Sequence, residues 1–272
     1  MGPVNRLSVG LVQINSRHNK AANLEKIERF VREAASRGAE LVVLPEYATY
    51  QGPKEGFAEV AEYIPGPTTQ LYSALARELG IYFLAGSLHE RGQDPQKFYN
   101  TSTLFDPSGA LIGIYRKIHL FDVTVDASAI YNESERILPG GEVVTVPIKG
   151  RVAGMSICYD LRFPELYRAY ADRGAEILFV PASFTMFTGK DHWELLLRAR
   201  AVENQCFVVA PGQIGRYEPN GWAYGRSLIA DPWGNVIAQA PDTEGVTLGV
   251  LDFTVMERIR EDLPALRHRR LR

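Results

Sequence analysis

The feature that most constrains the fold of this chain is a short pattern of residues that occurs twice. The tetrapeptide RGAE stands between a helical segment and a short apolar run at residues 37–40, and again at residues 173–176. Further along, each copy is followed by a turn of the form Asp-Pro-X-Gly, at residues 106–109 and 231–234. Because both pairs occur in the same order, the chain is predicted to consist of two related halves.

Apolar runs of strand length alternate with segments of helical periodicity in both halves. In the first half we predict strands at 7–14, 41–44 and 81–85, helices at 21–36 and 68–79, and a hairpin of 101–105 with 110–115. In the second half we predict strands at 152–158, 177–180 and 206–210, helices at 164–173 and 191–204, and a hairpin about 231–234. This order predicts an α/β protein with mixed sheets.

Each half would form a sheet with helices on one face, which leaves the other face apolar. The two apolar faces are most economically covered by each other, so we predict a four-layer α-β-β-α sandwich. No linker rich in Ser, Gly or Pro separates the halves, so residues 1–272 are predicted to be one domain, with 253–272 as a closing helix and a basic tail. The segment 118–143 between the halves is long for a connector, which indicates a functional role.

Composition excludes several classes of protein. The chain is 46% hydrophobic and 23% charged, as in soluble globular proteins. Its formal net charge of −2 gives no reason to expect a nucleic-acid or membrane partner. No apolar run reaches the roughly 18 residues of a membrane span, and the first residues lack the apolar core of a secretory signal. Two cysteines are too few for a disulfide framework or a cysteine metal cluster, so the cytoplasm is the expected location.

Cys158 lies where a predicted strand meets a predicted helix, in the segment VAGMSICYDLRFPEL. Pro164 suits the first position of that helix and Gly174 its end. Free backbone N–H groups and the positive end of a helix dipole can meet at such a junction, and they favour a thiolate over a thiol. The alternative is that Cys158 is a small buried apolar residue.

Two other polar residues also follow predicted strands: Glu46 in VVLPEY and Lys117 in IYRKIH. Open α/β sheets place their active sites at the carboxyl ends of strands. Taken singly, Glu46 could be a surface acid and Lys117 a solubilising base. Together with Cys158, an acid could take the thiol proton and a cation could hold the oxyanion that thiolate attack creates. The sequence has no HExxH, P-loop or GxGxxG motif, so we predict no metal and no cofactor.

These motifs resemble those of the nitrilase superfamily of carbon–nitrogen hydrolases, over essentially the full length of the chain. The matching strings are VGLVQIN, LVVLPE, YRKIHLFD, ICYDLRFPE, RARAVENQ and DPWG. The resemblance implies the same four-layer sandwich and a catalytic triad of Glu46, Lys117 and Cys158. It also places a second glutamate on Glu133, within YNESERILPG.

The resemblance further implies a role for each of these residues. Glu46 would be the general base and Cys158 the nucleophile, forming a thioester as ammonia leaves. Lys117 and the backbone N–H of Tyr159 would stabilise the oxyanion, and Glu133 would position Lys117 or the substrate. Because Lys117 would lie between two carboxylates, we expect it to remain charged.

Within the superfamily, the chain is most similar to the amidases of deaminated glutathione and to the ω-amidases of α-keto acids, partly through HERGQD at 89–94. A small carboxylate-bearing amide is therefore the expected substrate, and a homo-oligomer, at least a dimer, the expected state. Arg162 would bind the carboxylate, unless it forms a local ion pair with Asp160. The other expected substrate contacts are Tyr159, Phe184 and His192.

Three alternatives remain open at this point. A nitrilase or an N-carbamoyl amidohydrolase would use the same triad in another pocket. A Cys-His dyad could form with His119 or His192. A non-catalytic binding protein on the same fold is the third.

Overall fold

The computed structural model describes residues 2–126 and 129–271, so residues 1, 127, 128 and 272 of the predicted domain lie outside the described part. The helices in this part are α1 (Lys20–Ser36), α2 (Phe57–Val60), α3 (Pro67–Leu79), α4 (Pro164–Asp172), α5 (Met186–Asn204) and α6 (Phe253–Asp262). Short 3₁₀ helices span Lys54–Gly56 and Cys158–Arg162. None of these helices has the length and apolar composition needed to cross a bilayer.

The strands fall into the two halves that the repeat predicts. The first half contains β1 (Arg6–Gln13), β2 (Leu41–Val43), β3 (Tyr82–Leu84), β4 (Leu88–Arg91), β5 (Phe98–Phe105) and β6 (Leu111–Arg116). The connecting segment contains β7 (Asp122–Asp126) and β8 (Ala129–Asn132). The second half contains β9 (Thr145–Ile148), β10 (Arg151–Met155), β11 (Ile177–Phe179), β12 (Phe207–Ala210), β13 (Ile214–Tyr217), β14 (Gly221–Tyr224), β15 (Leu228–Ala230), β16 (Val236–Gln239) and β17 (Gly245–Asp252).

Two large sheets are built from these strands. The first has the order β17-β1-β2-β3-β5-β4, with β6 paired to β5, and the second has the order β16-β15-β12-β11-β10-β9. In each sheet the central strands are parallel: β1, β2 and β3 in the first and β10, β11 and β12 in the second. The antiparallel strands at their edges make both sheets mixed, as predicted.

Strand β1 shows how the layers are separated. Its side chains alternate between two faces, because successive residues of a strand point to opposite sides. Leu7, Val9 and Leu11 join a core cluster with residues of the second sheet. Val12, on the opposite face, joins a second cluster with α1 and α3. Gly10 on that face lets α1 approach, since a Cβ there would lie 2.9 Å from the Cβ of Ala34.

The second half repeats this arrangement with α4 and α5 as its outer layer. Tyr167 and Tyr170 of α4, and Trp193 and Leu197 of α5, are fully buried in the core cluster that includes the second sheet. Gly154 of β10 corresponds to Gly10, and a Cβ there would lie 2.6 Å from the Tyr170 ring. The four-layer α-β-β-α sandwich of two related halves is therefore confirmed.

Several element boundaries differ from prediction. Helix α5 begins at Met186, before the predicted start at residue 191, because Thr185 caps it by accepting a hydrogen bond from the backbone N–H of Thr188 at 3.3 Å. Strand β10 ends at Met155, short of the predicted residue 158. Strands β4, β7, β8, β9, β13, β14 and β17 are not predicted at all, since short or half-exposed strands give little periodicity.

Candidate active site

The three polar residues predicted at strand ends lie around one cavity of about 550 Å³. Glu46 follows β2 and Cys158 follows β10, so each comes after one of the parallel strands of its own sheet. Lys117 directly follows β6, at the edge of the first sheet. Glu133, in the connecting segment, follows β8 and lines the same cavity.

The Lys117 ammonium is enclosed by two carboxylates. Its Nζ lies 3.0 Å from Oε1 of Glu46, and 2.8 Å and 3.1 Å from Oε2 and Oε1 of Glu133. Burial acts to lower the pKa of Lys117, but the charges of Glu133 and Glu46 outweigh it and hold the pKa well above its ordinary value. The side chain is only 2% exposed and nevertheless remains charged.

Each carboxylate is fixed by further donors. Asn100 Nδ2 donates to Glu46 Oε1 at 2.8 Å, and the backbone N–H of Ser183 donates to Glu46 Oε2 at 2.8 Å. The Tyr47 hydroxyl donates to Glu133 Oε1 at 2.7 Å. The backbone N–H of Phe121 donates to Oε2 of the same carboxylate, also at 2.7 Å. Burial acts to raise the pKa of Glu133, yet Lys117 and these donors hold it below its ordinary value.

The Cys158 side chain is 8% exposed and lies beside the Glu46 carboxylate. Burial raises the pKa of its thiol, the charge of Glu46 raises it further, and Lys117 opposes both; the net result is well above the ordinary value. Cys158 also has a φ of +47°, a backbone conformation that is uncommon outside glycine. It occupies the first position of the 3₁₀ helix Cys158–Arg162.

The expectation that the strand–helix junction favours a thiolate is wrong. Helix α4 starts only at Pro164, beyond the 3₁₀ helix, and the backbone N–H of Cys158 itself donates to the carbonyl of Pro181 at 3.0 Å. Burial and the neighbouring carboxylate therefore dominate. The resting sulfur is a thiol, and it needs a base to become a nucleophile.

Known proteins are similar to this chain in sequence and in fold. Residues 8–261 match the family model described as carbon-nitrogen hydrolase. A deaminated glutathione amidase of Mus musculus is 42% identical over 270 residues, which cover 96% of this chain and 83% of the mouse protein. The omega-amidase NIT2-B of Xenopus laevis is 40% identical over 265 residues, covering 97% of this chain and 95% of the frog protein.

The chain belongs to the carbon–nitrogen hydrolase family. Among solved structures, Nit3 of Saccharomyces cerevisiae, a member of branch 10 of the nitrilase superfamily, aligns with a TM-score of 0.89 at 34% identity. The alignment covers 99% of this chain and 98% of the yeast protein. The family and the hydrolase class predicted from the motifs are thus confirmed.

Of the residues expected at the substrate, three line the cavity of this carbon–nitrogen hydrolase: Tyr159, Arg162 and Phe184. The Arg162 guanidinium lies 5.8 Å from the ring centre of Tyr159 and 5.2 Å from that of Phe184. His192 is exposed and is not part of the cavity lining; its Nδ1 lies 3.3 Å from Nη1 of Arg162. No carboxylate within residues 2–126 and 129–271 forms an ion pair with Arg162.

The alternative ion pair of Arg162 with Asp160 is absent from the described part of the chain. Asp160 instead accepts hydrogen bonds from the Tyr115 hydroxyl at 2.7 Å and from the backbone N–H of His119 at 2.9 Å. The His119 ring contacts the same carboxylate at 2.7 Å and stacks on Phe163 at 3.7 Å. His119 therefore supports the loop after Cys158 and has no place in a Cys-His dyad.

Sequence reasoning missed three neighbours of the triad, Asn100, Ser183 and His89, and gave Tyr47 no role beyond that of an aromatic residue near the site. Asn100 lies inside a strand and Ser183 acts through its backbone, so neither gives a motif signal. Tyr47 directly follows Glu46, and its φ of +55° could not be predicted. His89 begins the HERGQD string, the one signal that could have drawn attention to it. Within the described ranges, no group of three or more His, Cys, Asp or Glu side chains could hold a metal ion.

Proposed function

We propose that this carbon–nitrogen hydrolase is a cysteine-dependent amidase, with Cys158 as nucleophile, Glu46 as general base and Lys117 as oxyanion donor. The observation that carries the proposal is the single cavity lined by all three, in which the ammonium bonds to Glu46 and Glu133 at 2.8–3.1 Å. Glu133 acts as a positioning residue that fixes the ammonium.

The first half of the reaction forms a thioester. Glu46 takes the proton from the Cys158 thiol while the sulfur attacks the amide carbon, so an S–C bond forms and the carbonyl oxygen becomes an oxyanion. Lys117 donates to one oxygen of Glu46 and to both oxygens of Glu133, so giving up one of the two Glu133 contacts frees an N–H for this oxyanion, and the backbone N–H of Tyr159 supplies a second donor. The C–N bond then breaks, and the nitrogen leaves with the proton held by Glu46.

The second half hydrolyses the thioester. Glu46 now takes a proton from water, the water oxygen attacks the thioester carbon, and the C–S bond breaks. The proton returns to the sulfur, which restores the thiol. A primary amide releases ammonia in this cycle, whereas a secondary amide releases an amine.

The substrate is proposed to be a small amide that carries a carboxylate, of the deaminated-glutathione or α-keto-acid ω-amide type. Arg162 supports this choice because it lines the cavity, is half-buried and pairs with no carboxylate in the part of the chain that the structure describes. A guanidinium in that position suits a planar carboxylate. The names of the mouse and frog relatives point to the same class of amide.

The test is to trap the acyl-enzyme on Cys158. A Glu46→Gln variant lacks the base that activates both the thiol and the hydrolytic water, so after prolonged mixing with deaminated glutathione or the ω-amide of 2-oxoglutarate the acyl-enzyme should accumulate, and mass spectrometry should show the acyl mass on the peptide that contains Cys158. Cys158→Ala should abolish both adduct and turnover. Cys206→Ser is the matched control, because Cys206 is buried away from the cavity and a serine hydroxyl can keep its hydrogen bond to the carbonyl of Ala175.

A panel of nitriles and N-carbamoyl compounds completes the experiment. A strong preference for either class over amides would contradict the amidase proposal while leaving the triad intact. Full function of Cys158→Ala in cells would instead support a binding role without catalysis.

We also propose that the protein is located in the reducing cytoplasm, where a nucleophilic thiol stays reduced. There we propose that it is at least a homodimer. Leu195 and Val202 of α5 are 65% and 50% exposed, and Trp233 in the adjacent turn is 59% exposed. The turn contacts α5, since Arg198 Nε donates to the carbonyl of Gly234 at 2.7 Å. Helix α4, by contrast, buries its large apolar side chains within the subunit.

Sedimentation at micromolar concentration should therefore give a species of at least two subunits, and Leu195→Glu should shift it towards the monomer. Tyr63→Glu is the control, because Tyr63 is 67% exposed but lies in the first half of the chain, far in sequence from α5 and its adjacent turn. A wild-type monomer would contradict the proposal. Fractionation of cells that express the tagged protein tests the compartment.

A further inference from the structure

His89 is a buried histidine with no hydrogen-bond partner. It lines the cavity, is 2% exposed, and neither Nδ1 nor Nε2 bonds to any atom of the described chain. Buried polar side-chain atoms are nearly always paired in native proteins. Two unpaired nitrogens on one ring therefore need an explanation.

The surroundings of the His89 ring are aromatic. Its centre lies 4.1 Å from that of Phe57, 5.0 Å from that of Tyr47 in a stacked arrangement, and 5.8 Å from that of Tyr50. Burial in this niche lowers the pKa of His89 to about 3. The imidazole is therefore neutral at physiological pH and offers one donor and one acceptor.

Packing alone does not account for a histidine here. A phenylalanine would fill the same niche, keep the aromatic contacts and leave no polar atom unpaired. A half-turn about the Cβ–Cγ bond exchanges Nδ1 with Cδ2 and Nε2 with Cε1, so the ring can present a nitrogen to the cavity without moving its plane. A polar group of a substrate that enters the cavity can then pair with that nitrogen.

The two walls of the cavity differ in charge. Arg162 contacts Tyr159, Phe184 and His192, and it shares no ring neighbour with His89. The other described Lys and Arg side chains of the cavity wall, Lys117 and Lys54, are already paired with carboxylates, so they attract a further anion less than Arg162 does. A carboxylate on the acyl half of the substrate is thus drawn to Arg162, which directs the leaving half towards His89.

We propose that His89 is a specificity-determining residue that hydrogen-bonds an uncharged polar group, such as a peptide amide, in the leaving half of the substrate. This inference depends on the proposed amidase function. It predicts that His89 favours secondary amides with a peptide-like leaving half over primary amides, whose leaving group is ammonia.

The test compares two substrates with the same acyl half: deaminated glutathione and the ω-amide of 2-oxoglutarate. His89→Phe should lower kcat/KM about tenfold for deaminated glutathione and less than threefold for the primary amide. His89→Gln, which keeps one donor and one acceptor, should recover part of the loss. Equal losses with both substrates, or no loss with either, would overturn the proposal.

Tyr72→Phe is the matched control. The Tyr72 hydroxyl is also buried without a hydrogen-bond partner, but it lies among α1, α3 and the first sheet, away from the cavity. Its removal should leave both kcat/KM values unchanged, which separates loss of a substrate contact from relief of an unpaired polar group.

Binding separates this inference from the proposed function. In the Cys158→Ala background, His89→Phe should weaken the calorimetric Kd for deaminated glutathione about tenfold, and an unchanged Kd overturns the inference. A wild-type enzyme that hydrolyses neither amide contradicts the proposed function instead.

Discussion

Lys117 is the residue around which the charges of the site are arranged. A buried ammonium is costly unless it is paired, and here two carboxylates hold it charged at 2.8–3.1 Å. The same contacts leave Glu46 next to the thiol of Cys158, whose pKa is raised by burial and by that carboxylate. The cation, the proposed base and the proposed nucleophile are thus assembled before substrate arrives, which would limit the reorganisation that the proposed reaction requires.

Arg162 offers a test of substrate charge at a single residue. Arg162→Gln removes the guanidinium but keeps a polar side chain, so KM for a carboxylate-bearing amide should rise about 10–100-fold with little change in kcat. Steady-state kinetics with the methyl ester of the same amide should show no such rise. His192→Ala, which removes only a neighbour of Arg162, is the control and should change KM little.

His89 also predicts how stability depends on pH. Its pKa is about 3 in the folded protein against an ordinary 6.5, so the unfolded chain binds the extra proton below pH 6.5 and the folded state loses stability as the pH falls. His89→Phe removes this loss. The variant's free energy of unfolding minus that of the wild type should therefore be about 2 kcal/mol larger at pH 5 than at pH 7. Urea unfolding at the two pH values measures this, and a constant difference would contradict a neutral buried ring.

Some of the individual residues of the site could be predicted from the sequence. Glu46, Lys117 and Cys158 are recognisable because each follows an apolar run, and strand ends meet at sheet edges. Glu133 was reached only through family resemblance, since nothing in its local pattern marks it. The lowered pKa of His89 and the raised pKa of Cys158 both depend on burial by residues that are distant in the sequence. No local sequence pattern encodes such burial.

The repeat predicted from RGAE extends to individual hydrogen bonds between elements. Glu40 accepts from the backbone N–H of Ser8 at 3.1 Å, and Glu176 accepts from that of Val152 at 3.2 Å. In each copy the glycine, Gly38 or Gly174, has a positive φ. The tetrapeptide therefore ends a helix, turns the chain and anchors the next strand to its neighbour in both halves.

Gly154 allows a test of helix packing on the strand that leads to Cys158. Gly154→Ala would place a Cβ 2.6 Å from the Tyr170 ring of α4, so the helix must move away from β10. We expect a loss of about 1–3 kcal/mol in the free energy of unfolding, measured in urea. Gly141→Ala, with no atom within 4 Å of the new Cβ, is the control and should change stability by less than about 0.5 kcal/mol.

Long apolar strands and amphipathic helices were predictable, whereas half-exposed strands were not. Strand β17 is only partly buried along most of its length, and it is defined by pairing with β1 over eight residues. The start of α5 was obscured by Gly189, which breaks the helical pattern, although Gly189 is buried and a Cβ there would lie 2.4 Å from the Tyr224 ring. Tertiary packing, which the sequence pattern does not show, decides such cases.

At the scale of the whole molecule, we propose that the chain unfolds as one domain. Residues of both sheets share one core cluster, and that cluster includes Leu11 of the first half and Met155 of the second. The three tryptophans, Trp193, Trp222 and Trp233, all lie in the second half. Urea transitions followed by tryptophan fluorescence and by far-UV circular dichroism should therefore coincide. Separate midpoints would show that the halves are independent units.

The pairing of β17 with β1 has a consequence for synthesis. Arg6 pairs with Asp252 and Gln13 with Gly245, so within this sheet the strand that is synthesised earliest is flanked by the one that is synthesised latest. Until residues 245–252 emerge, one side of β1 presents unpaired backbone groups that can join another chain. A nascent chain that stalls before this point is thus exposed to aggregation, and the first sheet is completed only once residues 245–252 have emerged.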